Sequence, residues 1–172
     1  MRKAFLPLII SLCFLLESIF VELMTIESLA SKRIVVPHFL IVSIIFTTIY
    51  GNRKHGLMYG FIFGLLFDVV YTEVIGIYLF MLPLVAYITS WIMKVLQSNI
   101  VIVSLVALLG VSLLELGVYE MNFIIDRTDM AFSSFVDIRL LPTLILNLIF
   151  IVLIALPLKK YLESYAEALR ND

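Results

Sequence analysis

Long apolar stretches separated by short polar segments dominate this chain. A helix that crosses the hydrocarbon of a bilayer needs about 20 mostly apolar residues, each rising about 1.5 Å. Six stretches qualify or nearly qualify. The pattern predicts an all-α integral membrane protein, a six-transmembrane-helix bundle that forms a single domain over residues 1–172. We place the spans at about 5–23, 34–50, 57–71, 74–93, 100–119 and 140–158.

The boundary between the second and third spans depends on a basic cluster. Arg53, Lys54 and His55 lie between Gly51 and Gly56. One long helix over 34–71 would bury these charges in mid-membrane, which is costly. Two shorter spans with a turn between them are therefore the better interpretation.

Two polar segments at the far end of the sequence complete the pattern. Residues 120–139 surround an apolar Met130–Phe135 patch with charges, which is typical of an interfacial loop or a short helix on the membrane surface. The tail 159–172 has apolar residues at helical spacing, and we predict a membrane-surface helix that continues the last span.

Composition supports the membrane interpretation and excludes other classes. The chain is 63% hydrophobic and 15% charged, whereas an average soluble domain is roughly half apolar and a quarter charged. A net charge of −1 gives no basic excess for nucleic acid. The single cysteine excludes an internal disulfide framework.

The Lys and Arg residues of the short loops predict the orientation. With both termini inside, the cytoplasmic side holds eight of these residues and the outer side holds four. We therefore expect a multi-pass protein of the plasma membrane with both termini cytoplasmic. The inner set is Arg2, Lys3, Arg53, Lys54, Lys94, Lys159, Lys160 and Arg170, and the outer set is Lys32, Arg33, Arg127 and Arg139.

Three acidic residues inside the predicted spans are candidates for function, because ionisable groups in a membrane are expensive. The predicted orientation places Glu17, Asp68 and Glu115 at related depths in the outer half, near Arg139 as a counter-charge. Our hypothesis is a polar pocket that opens outward and is built from these four residues and Asn147. The alternative is that the same groups tie the helices together or reach water at the interface.

Glycines in the third span predict a helix-packing or partner-binding face. Gly60, Gly64 and Asp68 follow each other at four-residue spacing, so they share one side of a helix. Small residues at this spacing let another helix approach closely. Gly76, at the start of the fourth span, is included in this predicted face.

Metal binding and catalysis have little support in the sequence. His38 and His55 are far apart and have no second cysteine to help them, so they make a poor metal set. No nucleophile–base spacing, phosphate loop or zinc-protease motif occurs. We expect no cofactor, no metal and no enzymatic activity.

The third and fourth spans carry a family resemblance. The runs Tyr59–Asp68 and Val74–Tyr78 resemble the G-F-x-x-G-L-x-x-D…L-G signature of the MreD family of bacterial rod shape-determining membrane proteins. The resemblance extends to Glu17 in the first span, to Pro37 opening the second and to Glu115 in the fifth, and so covers nearly the whole chain.

That resemblance implies a non-enzymatic scaffold of the cell-elongation machinery. Family members associate with the membrane helix of MreC and, directly or through MreC, with RodA, its transpeptidase partner and MreB. The family fold is similar to the membrane substrate-binding subunits of energy-coupling vitamin transporters. The resemblance thus implies contacts with membrane lipid and these proteins, while a homodimer remains open.

Two other functions stay open on the sequence alone. A substrate-binding subunit of a vitamin or small-molecule transporter could use the predicted polar pocket for its ligand, although the first span has no A-x-x-x-A docking face. An intramembrane enzyme would have carboxylates but no obvious nucleophile or base.

Overall fold

The structure is a computed structural model that describes residues 5–28 and 33–171. Every regular element in these two ranges is helical, which confirms the predicted all-α class. Long helices alternate in direction, so that the carboxyl terminus and the start of the first helix share one end, here called the termini end; the opposite end is called the distal end. The helices are α1 (Phe5–Ser28), α2 (Phe39–Phe46), α3 (Arg53–Tyr71), α4 (Ile77–Ile92), α5 (Ile100–Ile124), α6 (Phe132–Phe135) and α7 (Leu141–Arg170).

Several of these helices meet the requirements for crossing a membrane. Phe5–Glu22, Ile100–Ile124 and the continuous stretch Phe132–Arg170 are both long and apolar enough to span. Phe39–Gly51 and Ile77–Ile92 are apolar but shorter. The large hydrophobic side chains exposed on α1 and α7 are explained by lipid as the surrounding solvent. That all six predicted spans cross the membrane remains a prediction.

Helix α2 forms the centre of the bundle. All eight of its residues, from Phe39 to Phe46, are buried, and it contacts α1, α3, α4, α5 and α7. A helix that is apolar on every side is stable only when other helices surround it, or lipid does. A π-helical turn, Thr47–Gly51, continues α2 to the termini end, where Asn52 caps α3 through the backbone N–H groups of Lys54 and His55.

The second predicted span, 34–50, is not helical over its first residues. Residues 33–38 are not helical, and α2 begins only at Phe39. Pro37 explains the difference, because proline has no N–H to donate and its ring disfavours helical backbone at the residue before it. The distal part of this span is therefore a non-helical segment, whose backbone needs partners from elsewhere in the protein.

The α3–α4 hairpin uses the predicted glycine face for internal packing. A Cβ atom at Gly64 would lie 2.5 Å from the carbonyl oxygen of Tyr78 and 2.9 Å from Cα of Leu79. At Gly60 it would lie 3.1 Å from Cα of Pro83. Both glycines thus let the backbone of α4 approach, so this face contacts the same chain and is not free for a partner helix.

Gly76 does not belong to that face, which corrects the prediction. It precedes α4 with φ 122°, and a Cβ there would meet nothing within 4 Å. Residues with side chains rarely adopt this backbone conformation. Glycine is therefore required here by the turn and not by close packing.

Helices α5 and α7 extend beyond the ends of the predicted fifth and sixth spans. Helix α5 runs to Ile124, and the apolar patch after it forms the single turn α6, which passes through the π-helical turn Val136–Leu140 into α7. Helix α7 has 30 residues, or about 45 Å, which exceeds the roughly 30 Å of hydrocarbon in a bilayer. The tail continues the last span as a helix, as predicted. The hydroxyl oxygen of Tyr165 on this tail lies 2.6 Å from Nδ1 of His55.

Candidate functional site

A buried polar cluster lies at the distal end, around Glu115 of α5. One carboxylate oxygen of Glu115 accepts a hydrogen bond from Nε of Arg139 at 2.7 Å. The other oxygen lies 2.6 Å from Nε2 of His38. Glu115 and His38 are almost fully buried, whereas the Arg139 side chain keeps 30% of its surface. Buried charges need such pairing, because removing them from water costs several kcal/mol per ion, on the order of 5 or more.

Glu17 of α1 joins the cluster from the other side of His38. Its Oε1 lies 3.8 Å from Nδ1 of His38, and its Oε2 accepts a hydrogen bond from the N–H of Leu40 at 3.0 Å. Leu40 belongs to the first turn of α2, where backbone N–H groups have no partner within the helix. A carboxylate from α1 therefore caps α2, and its negative charge is favourable at a helix N-terminus.

Asn147 and Thr143 of α7 bind the backbone of the non-helical segment before α2. The side-chain oxygen of Asn147 accepts from the N–H of His38 at 2.8 Å, while its amide nitrogen donates to the carbonyl of Val36 at 3.0 Å. The hydroxyl oxygen of Thr143 accepts from the N–H of Val36 at 3.1 Å. Non-helical backbone at membrane depth is tolerated only where protein or water satisfies it, and here two side chains of α7 do so.

The charged groups of the cluster are paired with each other. Two carboxylates face one guanidinium and one imidazole. An uncompensated charge in this interior would be costly, so this pairing is what allows the groups to be buried together.

The cluster itself is filled by its own side chains. The space bounded by Glu17, His38, Tyr78 and Leu114 is too small for a water molecule. The structure thus brings together Glu17, Glu115 and Arg139, with Asn147 attached through the backbone of His38. These groups tie α1, α5 and α7 to the start of α2. A ligand within the cluster would have to displace these contacts.

Asp68 lies outside this cluster, which corrects its predicted place in the pocket. Its carboxylate accepts hydrogen bonds from the N–H groups of Gly76, Tyr78 and Leu79 at 2.8–2.9 Å. These donors belong to the start of α4, where the first N–H groups of a helix have no partner within the helix itself. The carboxylate is completely buried, and it fixes the turn between α3 and α4.

His38 is the functional side chain that sequence reasoning missed. The sequence alone makes His38 only a poor candidate for a metal set, and no group of three or more His, Cys, Asp or Glu residues in the described ranges is arranged to hold a metal ion. The usable signal was its position: His38 follows Pro37 at the distal end, at the level of the membrane acids. A histidine at that depth needs a partner.

These features define a class: an all-helical membrane protein with a closed ion-pair cluster at one end of the bundle. The family model for the rod shape-determining protein MreD matches residues 2–165. The chain is 36% identical to the rod shape-determining protein MreD of Bacillus subtilis, over 172 residues and all of both chains. It is 30% identical over 124 residues to the cell shape-determining protein MreD of Streptococcus pneumoniae, covering 72% of this chain and 76% of that one.

The chain therefore belongs to the MreD family, as the sequence resemblance indicated. Membership supports a role in determining cell shape as a membrane protein. No solved structure shows a significant match to this chain.

Proposed function

We propose that this protein is a non-enzymatic scaffold of the bacterial cell-elongation machinery that maintains rod shape. In this proposal it binds the membrane helix of MreC and helps to organise lateral peptidoglycan synthesis. RodA, its transpeptidase partner and MreB are reached directly or through MreC. The protein lies in the plasma membrane with both termini in the cytoplasm, so the distal end faces outward.

The closed polar cluster is the observation that carries this proposal. Its carboxylates, imidazole and guanidinium bind each other and the backbone of α2, and the space between Glu17 and Tyr78 is too small for a water molecule. A transporter subunit would need room for its ligand at such a site, because ligand pockets are typically 300–1,000 Å³, roughly. Because the polar groups of the cluster bind each other and hold the helices together, they favour a rigid bundle that presents its outer surfaces to other proteins.

The surface for a partner helix is expected on the lipid-exposed sides of the bundle. Gly60 and Gly64 are already in contact with α4, so they are not available to MreC. Large apolar side chains are exposed on α1, for example Leu12 at 50%, and on α7, for example Val152 at 67%. A tryptophan at the correct position would block a partner helix without disturbing the core.

Depletion of the protein in its own host tests the function. Loss of rod shape, with rounding or widening of the cells, is expected, and the wild-type gene should restore it. Loss of uptake of one vitamin while the cells keep their shape would contradict the scaffold and support the transporter alternative.

Copurification with MreC tests the partner and its surface. Leu12→Trp and Val152→Trp form a matched pair, because both positions are lipid-exposed and lie on different helices. Tagged wild-type protein is expected to retain MreC, and one variant is expected to lose it while the other retains it. If the wild-type protein retains no MreC from crosslinked membranes, the proposed partner is wrong.

A further inference from the structure

Two cavities that share part of their lining lie at the distal end, beside Arg139. Their volumes are about 270 Å³ and about 340 Å³. Together they form one cleft, because both are lined by Val118, Asn122, Arg127 and Arg139. The larger one reaches the size at which small-molecule sites begin, roughly 300 Å³. Unlike the closed cluster, this cleft has room for a ligand.

Two guanidinium groups line the cleft. Arg139 binds Glu115 through Nε and one terminal nitrogen, so its other terminal nitrogen lies on a different edge of the planar group. Arg127 is ion-paired with Glu73, and its side chain keeps 48% of its surface. Glu73 keeps 80%. Arginine recognises phosphate through paired N–H donors in a fixed plane, which makes phosphate a fitting ligand.

The two arginines differ in how strongly their carboxylates hold them. The partner of Arg139 is buried inside the bundle, whereas the Arg127–Glu73 pair is exposed to solvent. Exposed ion pairs contribute little stability, since water and salt screen them. A phosphate can therefore replace Glu73 at Arg127 at low cost, while Glu115 keeps Arg139 fixed in place at the back of the cleft.

Aromatic residues border the cleft. Tyr119 stacks on Phe135 with ring centroids 4.2 Å apart, and Phe132 packs beside both. Tyr119 and Phe135 also line the smaller cavity. Tyrosine is enriched at the membrane–water interface, where the phosphates of lipids lie, so Tyr119 fits a position of the cleft at that level.

We propose that this cleft binds a phosphate group between Arg127 and Arg139, supplied by a lipid headgroup or by a soluble phosphate. The site goes beyond the scaffold function and does not require it. In the orientation proposed above, it opens to the outer leaflet. Glu73 competes with the phosphate for Arg127. Substitution of Arg127 and substitution of Glu73 should therefore change phosphate binding in opposite directions.

The test uses the purified full-length protein in detergent, with short-chain phosphatidylglycerol as the titrated probe and native mass spectrometry as the readout. Arg127→Gln should weaken binding about tenfold, because it removes a charge-assisted bond to phosphate. Glu73→Gln should strengthen binding, because Arg127 loses its competitor. Arg33→Gln is the matched control: it removes one exposed charge at the same end, outside the cleft lining. It should leave binding unchanged.

A competition arm separates the two sources of phosphate. Millimolar inorganic phosphate that displaces the lipid would assign the site to a soluble phosphate, and no displacement would assign it to a lipid headgroup. Equal binding by wild type and Arg127→Gln would overturn the proposal. So would an equal loss with Arg33→Gln, because binding would then reflect only the general charge of the surface.

Discussion

Replacing Gly64 by alanine puts a methyl group against the backbone of α4. The new carbon would lie 2.5 Å from the carbonyl oxygen of Tyr78, whereas carbon and oxygen normally approach to about 3.3–3.6 Å. The two helices must therefore separate by roughly 1 Å at this point. Neither neighbour can rotate away, because the atoms that it meets belong to the backbone.

The cost follows from that geometry. Overpacking of a core usually costs about 1–3 kcal/mol, and a clash with backbone belongs near the upper limit. The same displacement moves the N–H groups of Tyr78 and Leu79 away from Asp68, and weakening one such buried bond costs about 1–3 kcal/mol. Alanine recovers up to about 1 kcal/mol of helix propensity. We expect a net loss of about 3 kcal/mol in the free energy of unfolding.

Two further glycines provide a graded control with the same chemical change. At Gly60 the new atom would lie 3.1 Å from Cα of Pro83, so a smaller loss of about 1 kcal/mol is expected. At Gly117 it would meet the flexible end of Met81, which can move aside, so little or no loss is expected. Reversible unfolding in mixed micelles with increasing SDS measures all three. If Gly64→Ala is as stable as Gly117→Ala, close backbone packing does not determine the α3–α4 contact.

Two other perturbations test the buried polar groups. Asp68→Asn keeps the shape of the side chain but replaces one acceptor oxygen by a donor facing N–H groups; it should destabilise the protein by about 2 kcal/mol, and unfolding in the same micelles at unchanged stability would contradict the capping role. Glu115→Gln should cost about 2–4 kcal/mol, because it leaves the partly buried charge of Arg139 with a weaker partner. Adding Arg139→Gln should recover part of that loss in a double-mutant cycle, whereas strictly additive losses would show that the two residues are not coupled.

The sequence predicted the helical class well, because long apolar stretches allow little else in a membrane. It predicted less well how polar residues pair. Asp68 has its donors 8–11 residues further along the chain. A carboxylate so close to the turn at Gly76 indicates a cap for the start of α4 more directly than an ion pair with a distant arginine. His38 has a partner that is 77 residues away in sequence. Such pairing depends on which helices become neighbours, and hydrophobic periodicity does not specify that.

The start of α2 shows the same limit in the backbone. Pro37 signals that the helix cannot extend unbroken through this part of the span, so its late beginning at Phe39 could be predicted. The partner of the freed backbone could not, because the sequence marks Asn147 as a candidate pocket residue and gives no sign that it binds the backbone before α2. Its double role, as acceptor for His38 and donor to Val36, appears only once α7 lies beside this segment.

This dependence on α7 has a consequence for biogenesis. Val36 and Asn147 are 111 residues apart, so a chain leaving the ribosome exposes the segment before α2 long before its partner has been made. During that interval the backbone of residues 33–38 must be solvated by water or lipid headgroups, because hydrocarbon offers no hydrogen bonds. We therefore expect the central helix to reach its final position only when the last helix is inserted. Contacts of this sequence separation form late, which makes insertion of α7 the step that completes the bundle.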